Sequence, residues 1–283
     1  MMTPEDEAYI LERAYVPEHI VNLMAPISKG EPFFKEDHLG FVKDNWVILV
    51  GYPLDQNYLQ DRCERIVKQV LETFRPEYLW FIGPEVPASL LDSCKERQTD
   101  QYYRLDPDLT KPKPSLQRKA EKASKELTVE RSHSISKEHE ALIVELLKRE
   151  KLPPRVRELY RAMPDYIAHS STAYVLNAWD KKGKLCAFYV VELAAKRFTT
   201  YVLGTHSKKN YVPHASDLLF FEMIELTREH EKDTINLGLG VNEGIRRFKE
   251  KWGGIPFLNY EFCERFYGTT RTISLIKTLE GKL

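Results

Sequence analysis

Apolar residues along this chain recur with two spacings, and the change from one to the other predicts most of its elements. WVILVGY, from Trp46 to Tyr52, is an uninterrupted apolar run of strand length closed by Pro53. Asp55 then caps a helix whose apolar positions Leu59, Cys63, Ile66, Val67, Val70, Leu71 and Phe74 share one face. Pro76 closes that helix and residues 78–82 read as a second strand. Strand, crossover helix and strand predict a parallel pair with a right-handed connection. A short helical piece near 89–95 and a strand at 101–105 follow. Before Trp46 the pattern is weak, because Pro4, Pro17, Pro26 and Pro32 divide it, and only one helix, around residues 5–14, is expected.

Residues 106–125 break the rhythm. DPDLTKPKPS followed by QRKAEKASK is proline-punctuated, basic and almost devoid of large apolar residues, which predicts a linker with a helical second half. Beyond it come a strand at 127–131, a helix at 137–148 and a second helix at 155–163, interrupted by Pro153-Pro154. Strands at 172–179, 185–192 and 197–204 follow, the first two joined by Asp180-Lys181-Lys182-Gly183 as an antiparallel hairpin. A long helix over 213–231 leads to a strand at 235–237 and the turn Gly238-Leu239-Gly240. Asn242 caps an amphipathic helix with Ile245, Phe248 and Trp252 on one face, stopped by Gly253-Gly254 and Pro256. A last core strand at 257–266 and a terminal helix or strand over 269–283 complete the pattern.

The element order is partly repeated. Strand 46–51, helix 55–74, strand 78–82, a short helix and strand 101–105 mirror strand 197–204, helix 213–231, strand 235–237, helix 242–252 and strand 257–263. The expected organisation is an N-terminal domain over 1–110, a basic linker over 111–125 and a C-terminal domain over 126–283. Composition adds few constraints. The chain has 283 residues, 42% of them hydrophobic, enough for a sizeable core, and 42 basic residues balance 42 acidic ones. No global field therefore favours DNA or a membrane surface. The opening MMTPEDEAYILER is acidic and lacks the apolar run of a signal peptide, and no later stretch is long and apolar enough to span a bilayer. Cys63, Cys94, Cys186 and Cys263 lack metal-type spacing, so reduced thiols in a cytoplasmic protein are expected, with no metal.

The wording around the glycine turn is more specific than its periodicity. Leu-Gly and, after a gap, Gly244-Ile245-x-x-Phe248-Lys249-x-x-Trp252-Gly253-Gly254 resembles the C-terminal signature of Fem-type peptidyltransferases, relatives of the GNAT acyltransferases. The stretch 213–222, PHASDLLFFE, is similar to the long helix such proteins place one strand earlier. The resemblance covers about residues 127–267. It implies a mixed α/β GNAT-like fold, built as two tandem halves with the first degenerate. It also implies transfer of an acyl group from an activated donor, acyl-CoA or aminoacyl-tRNA, to an amine-bearing acceptor, with no tightly bound cofactor.

Within that resemblance Phe248 and Lys249 map to the reaction site, where lysine stabilises negative charge developing on the attacked carbonyl. Packing for Phe248 and solvation for Lys249 are the plain alternative. Glu192, near a strand end, and Glu222, on an apolar helix face, are the candidate bases, each with simple ion pairing as its alternative. A CoA donor's pyrophosphate is expected on the backbone amides that start the long helix. The candidate residues there are Lys208, Lys209, Asn210, His214, Ala215 and Ser216. Pro213 removes an N–H from that loop and Asp217 adds a carboxylate that competes with phosphate, which counts against CoA. The neutral charge balance counts against tRNA. A non-catalytic GNAT-fold binding or assembly module is the rival expectation, and an acidic partner for the basic linker run a third.

Overall fold

The computed structural model describes residues 2–108, 113–152 and 154–268. In chain order its first elements are α1 (Pro4–Arg13), α2 (Val21–Ser28), β1 (Glu31–Lys35), β2 (His38–Lys43), β3 (Trp46–Val50), α3 (Gln60–Phe74) and β4 (Tyr78–Gly83). Next come α4 (Ala88–Leu91), β5 (Glu96–Leu105), α5 (Pro114–Ser124), β6 (Leu127–Ser132), α6 (Lys137–Arg149) and α7 (Pro154–His169). The chain continues through β7 (Ala173–Asp180), β8 (Leu185–Glu192), β9 (Phe198–His206) and α8 (Ala215–Glu229). It ends in β10 (Thr234–Leu239), α9 (Glu243–Lys251) and β11 (Ile255–Phe266). The stretch 269–283, expected as a terminal helix or strand, lies outside the described residues. None of the described helices is long and apolar enough to cross a membrane.

Contacts divide the chain into two compact units. The first comprises Met1–Tyr103, Leu239–Glu243 and Pro256–Leu283, and the second Arg104–Gly238 and Gly244–Ile255. β11, which falls within 126–283, therefore groups mainly with the N-terminal segment. Its antiparallel register on β4, from Glu261↔Gly83 to Phe266↔Tyr78, is the reason.

In the first unit the strand order is β1-β2-β3-β4-β11-β5. β3 and β4 pair in parallel from Trp46↔Tyr78 to Val50↔Ile82, as a helical crossover requires. β3 is apolar throughout because both of its faces are covered. Trp46, Ile48 and Val50 pack with Ile10, Val16, Trp80 and Tyr102, while Val47 and Leu49 pack with Cys63, Ile66, Val67 and Val70 of α3. Cys94 and Cys263 form a disulfide with a Cα–Cα distance of 5.6 Å, which corrects the expectation of four reduced thiols. Cys63 and Cys186 are free and buried, and burial pushes their thiols up to about 12 and about 11. Thiol titration of unreduced, denatured protein should therefore count two groups, and four only after a reductant is added.

In the second unit β6, β7, β8 and β9 form an antiparallel set, and β10 joins β9 in parallel. The predicted hairpin is present. Asp180 Oδ1 accepts from the N–H groups of Lys182 (2.8 Å) and Lys184 (2.9 Å), which closes its turn. The second half of the expected linker is α5, with Leu116, Ala120 and Ala123 buried, and it packs on α8. Neighbouring strand residues face opposite ways. Thr199 on β9 receives the hydroxyl of Thr227 on α8 at 3.0 Å, and Glu192, opposite Thr200, receives the hydroxyl of Tyr166 on α7. α8 and α7 thus cover opposite faces of these strands.

Candidate functional site

The pairing of β9 with β10 runs from Phe198↔Thr234 through Thr199↔Ile235 to Thr200↔Asn236. β9 continues to His206 and β10 to Leu239, so the two strands part beyond that last pair. Across the sheet, Glu192 is in register with Thr200 and Thr200 with Asn236. Directly opposed residues share a face. The result is a row of three polar side chains with relative exposures of 0%, 1% and 2%. Glu192 is saturated. Its Oε1 accepts the N–H groups of Leu193 (2.8 Å) and Ala194 (2.7 Å), and its Oε2 the hydroxyls of Tyr166 and Ser170. It ties the end of β8 to α7.

Lys249 comes from the other direction. The sequence predicts a helix resting on Ile245, Phe248 and Trp252, but Lys249 is the residue that α9 buries, at 4% exposure, while Ile245 is exposed. Phe248 is half-buried, edge-on to Phe220 at 5.4 Å between ring centres. Gly238 adopts φ +72°, and a Cβ there would lie 4.0 Å from Lys249 Nζ and 3.9 Å from the Tyr201 carbonyl oxygen. The N–H of Gly238 donates to Asn236 Oδ1 at 2.9 Å. Asn236 and Lys249 therefore reach the same glycine.

The Trp-Gly-Gly signature explains how α9 is held. Trp252 Nε1 donates to Asp217 Oδ1 at 3.2 Å, and Lys251 Nζ donates to the same oxygen at 2.5 Å. His214 Nδ1 lies 3.2 Å from Asp217 Oδ2, and the Trp252 ring stacks on Phe220 at 4.8 Å. Asp217, read from the sequence as a competitor for phosphate, is a clamp between α8 and the end of α9. Gly254 is demanded by close approach. A Cβ there would sit 2.8 Å from Leu237 Cδ1 and 3.0 Å from the Lys249 carbonyl oxygen, which already accepts from Trp252 N and Gly254 N. Leucine can yield but that carbonyl cannot, so Gly254→Ala should cost about 1–3 kcal/mol of stability, read as a lower urea midpoint.

The expected donor loop lies between β9 and α8. Glu145 of α6 occupies its amides, accepting from Lys208 N at 2.6 Å and Ser207 Oγ at 3.0 Å. Burial pushes this carboxyl up, but the bonds from Lys208 N, Ser207 and Lys209 N outweigh it and hold the group below its ordinary range. Arg149 Nη1 adds a contact at 3.4 Å. Asn210 N donates to Ser207 Oγ at 2.9 Å and its side chain reaches Cys186 Sγ at 3.2 Å. Lys208 and Lys209 are exposed, Ala215 is buried, and the Ser216 carbonyl accepts the Tyr189 hydroxyl at 3.0 Å. Glu222 lies elsewhere, bonded by Arg131 Nε of β6 at 2.6 Å. β6 and β10 are opposite ends of this strand set. Thr200, Asn236 and Glu145 were missed from the sequence. Asn236 alone left a signal, as a lone polar residue inside an apolar strand.

No family model matches this chain, and no curated protein matches it in sequence. Solved structures do match. L-PGS from Bacillus licheniformis superposes with a TM-score of 0.58 at 15% identity, covering 99% of this chain and 96% of that one. FemX gives 0.60 at 12%, over 91% and 94% of the two chains. A tandem GNAT protein from the clavulanic acid biosynthesis pathway gives 0.52 at 14%, over 82% and 79%. At these identities the likeness concerns architecture, and over most of its length this chain has the mixed α/β fold of GNAT-type proteins.

Proposed function

We propose that this chain transfers an acyl group from an activated ester to an amine, with aminoacyl-tRNA as the donor in preference to acyl-CoA. The observation that carries the reading is the buried Lys249 ammonium beside Gly238, where β9 and β10 part. A cation held there stabilises the oxyanion that forms when the amine nitrogen bonds to the ester carbonyl carbon. The bond to the ribose oxygen then breaks, and the proton released by the amine ends on that leaving oxygen. Phe248, next to this lysine in sequence, packs on Phe220, and Lys251 Nζ lies 4.4 Å from its ring centre. With Glu192 saturated and Glu222 paired to Arg131, neither is the base favoured by the geometry.

The donor preference rests on Glu145. A carboxylate on the Lys208 and Lys209 amides fills the place a pyrophosphate needs, and its charge repels one. We read the chain as two GNAT-like halves in sequence order, β3–α3–β4–α4–β5 repeating the order β9–α8–β10–α9–β11, with the first half degenerate. Thermal unfolding against separate ligands tests the reading, since a ligand bound only by the native state raises the midpoint. A rise with aminoacyl-tRNA and none with acetyl-CoA or CoA is expected. A rise with acetyl-CoA alone reverses the donor, and no rise with any of them leaves a non-catalytic binding module.

A further inference from the structure

The Asn236 carboxamide is held by one end only. The backbone N–H of Gly238 can only donate, so the amide oxygen must face it, and this orients the group without ambiguity. The –NH2 end is thereby turned away and buried, and Nδ2 has no acceptor among the described residues. Its neighbour in register, Thr200, also has a buried hydroxyl without a partner among the described residues. Buried donors are matched in nearly all proteins because leaving them unmatched is unfavourable, so two adjacent orphans mark a place for an acceptor. They lie at the last residue pair before β9 and β10 part, and Asn236 holds the same glycine that Lys249 approaches.

We propose that Asn236 and Thr200 are catalytic residues whose Nδ2–H and Oγ1–H donate to the oxygen of the acyl carbonyl under attack. This rests on the acyl transfer proposed above and supplies its remaining donors. As the amine nitrogen bonds to the carbonyl carbon, the π pair moves onto oxygen, where these two donors and the Lys249 ammonium meet the charge. When the pair returns, the carbon–oxygen bond to the leaving group breaks and the amine proton ends on that oxygen. Asn236 and Thr200 lend hydrogen bonds and lose no proton. A carbonyl is the matching acceptor because its two lone pairs serve two donors side by side.

Steady-state transfer from aminoacyl-tRNA, measured well below the melting temperature, tests this with two variants. Thr200→Val removes the hydroxyl and keeps the shape. Asn236→Asp keeps an acceptor for Gly238 N–H and removes the amide donors. Both are expected to lower kcat, Asn236→Asp by about 100-fold or more, with the donor KM unchanged, as for an interaction made only in the transition state. Thr200→Val should melt at or above the wild-type temperature, because it removes an unmatched buried group; a purely structural hydroxyl would lower it. Wild-type kcat in either folded variant overturns the proposal, and if Asn236→Asp does not fold, Thr200→Val decides alone. A wild-type protein that transfers from no donor defeats the proposed function and this inference together. A transferring wild type whose variants transfer equally defeats the inference only.

Discussion

Lys249→Met is expected to lower kcat for acyl transfer by about 100- to 1,000-fold while melting within a few degrees of the wild type. Methionine keeps the length and the unbranched stem, so the 4%-exposed position stays filled and only the charge is lost. Burying an ammonium is itself unfavourable, so the stability lost with its interactions is offset by the desolvation no longer required. Lys249→Arg should not restore the rate. The guanidinium is larger and planar, and the space beside Gly238 is sized by a missing side chain, with Nζ already 4.0 Å from where a Cβ would stand. A Lys249→Met protein that turns over at the wild-type rate would remove Lys249 from the chemistry and return Phe248-Lys249 to packing.

Acidification from pH 6.5 to pH 4 is expected to remove about 3 kcal/mol of stability through His19 alone. Its ring is fully buried, and burial pushes its pKa down to about 4, against about 6.5 in an unfolded chain. The geometry agrees with a neutral ring. Nε2–H donates to the Tyr52 carbonyl at 2.9 Å, and Nδ1 faces the Tyr15 N–H at 3.4 Å, a donor that cannot receive a second proton. Between those two pKa values the unfolded state binds the proton and the folded state does not, so the His19 contribution to stability falls as pH falls and is fully lost below about 4. His38, His139 and His206, each lowered chiefly by burial, push in the same direction. Glu18 opposes them, because burial raises its pKa and the folded state keeps its proton to higher pH. Urea midpoints between pH 4 and 7.5 measure the sum. His19→Gln, which retains a donor toward Tyr52, should flatten the slope, and an unchanged slope would assign the acid sensitivity to other groups.

What could be read from the chain alone was whatever neighbours in sequence decide. The apolar run at Trp46 and the one-faced helix before Pro76 predicted β3 and α3, and the turn at 180–183 predicted the β7–β8 hairpin. These signals survive because burial of one face, or of both, imposes a spacing that needs no knowledge of the partner. β1 and β2 escaped for a related reason. The turn between them puts Glu36 and Asp37 at φ 45° and 62°, and neither glycine nor an Asn-Gly pair marks it. The position of Lys249 was suggested by the Phe-Lys-x-x-Trp-Gly-Gly wording, yet its burial ran against the amphipathic pattern.

From Trp46 onward the sequence by itself determined the order of the strands and helices, since periodicity, caps and glycine stops act within a few residues, and the Phe-Lys-x-x-Trp-Gly-Gly wording carried the resemblance to GNAT-type proteins. Tertiary structure decided which strands meet and which polar groups share a face. The pairing of β11 with β4 joins Phe266 to Tyr78, far apart in the chain, and the row from Glu192 through Thr200 to Asn236 exists only once three strands align. Glu145 reached the Lys208 amide across 63 positions. Nothing local encodes such distances, because a side chain's partner is set by the register of the sheet and the packing of its helices.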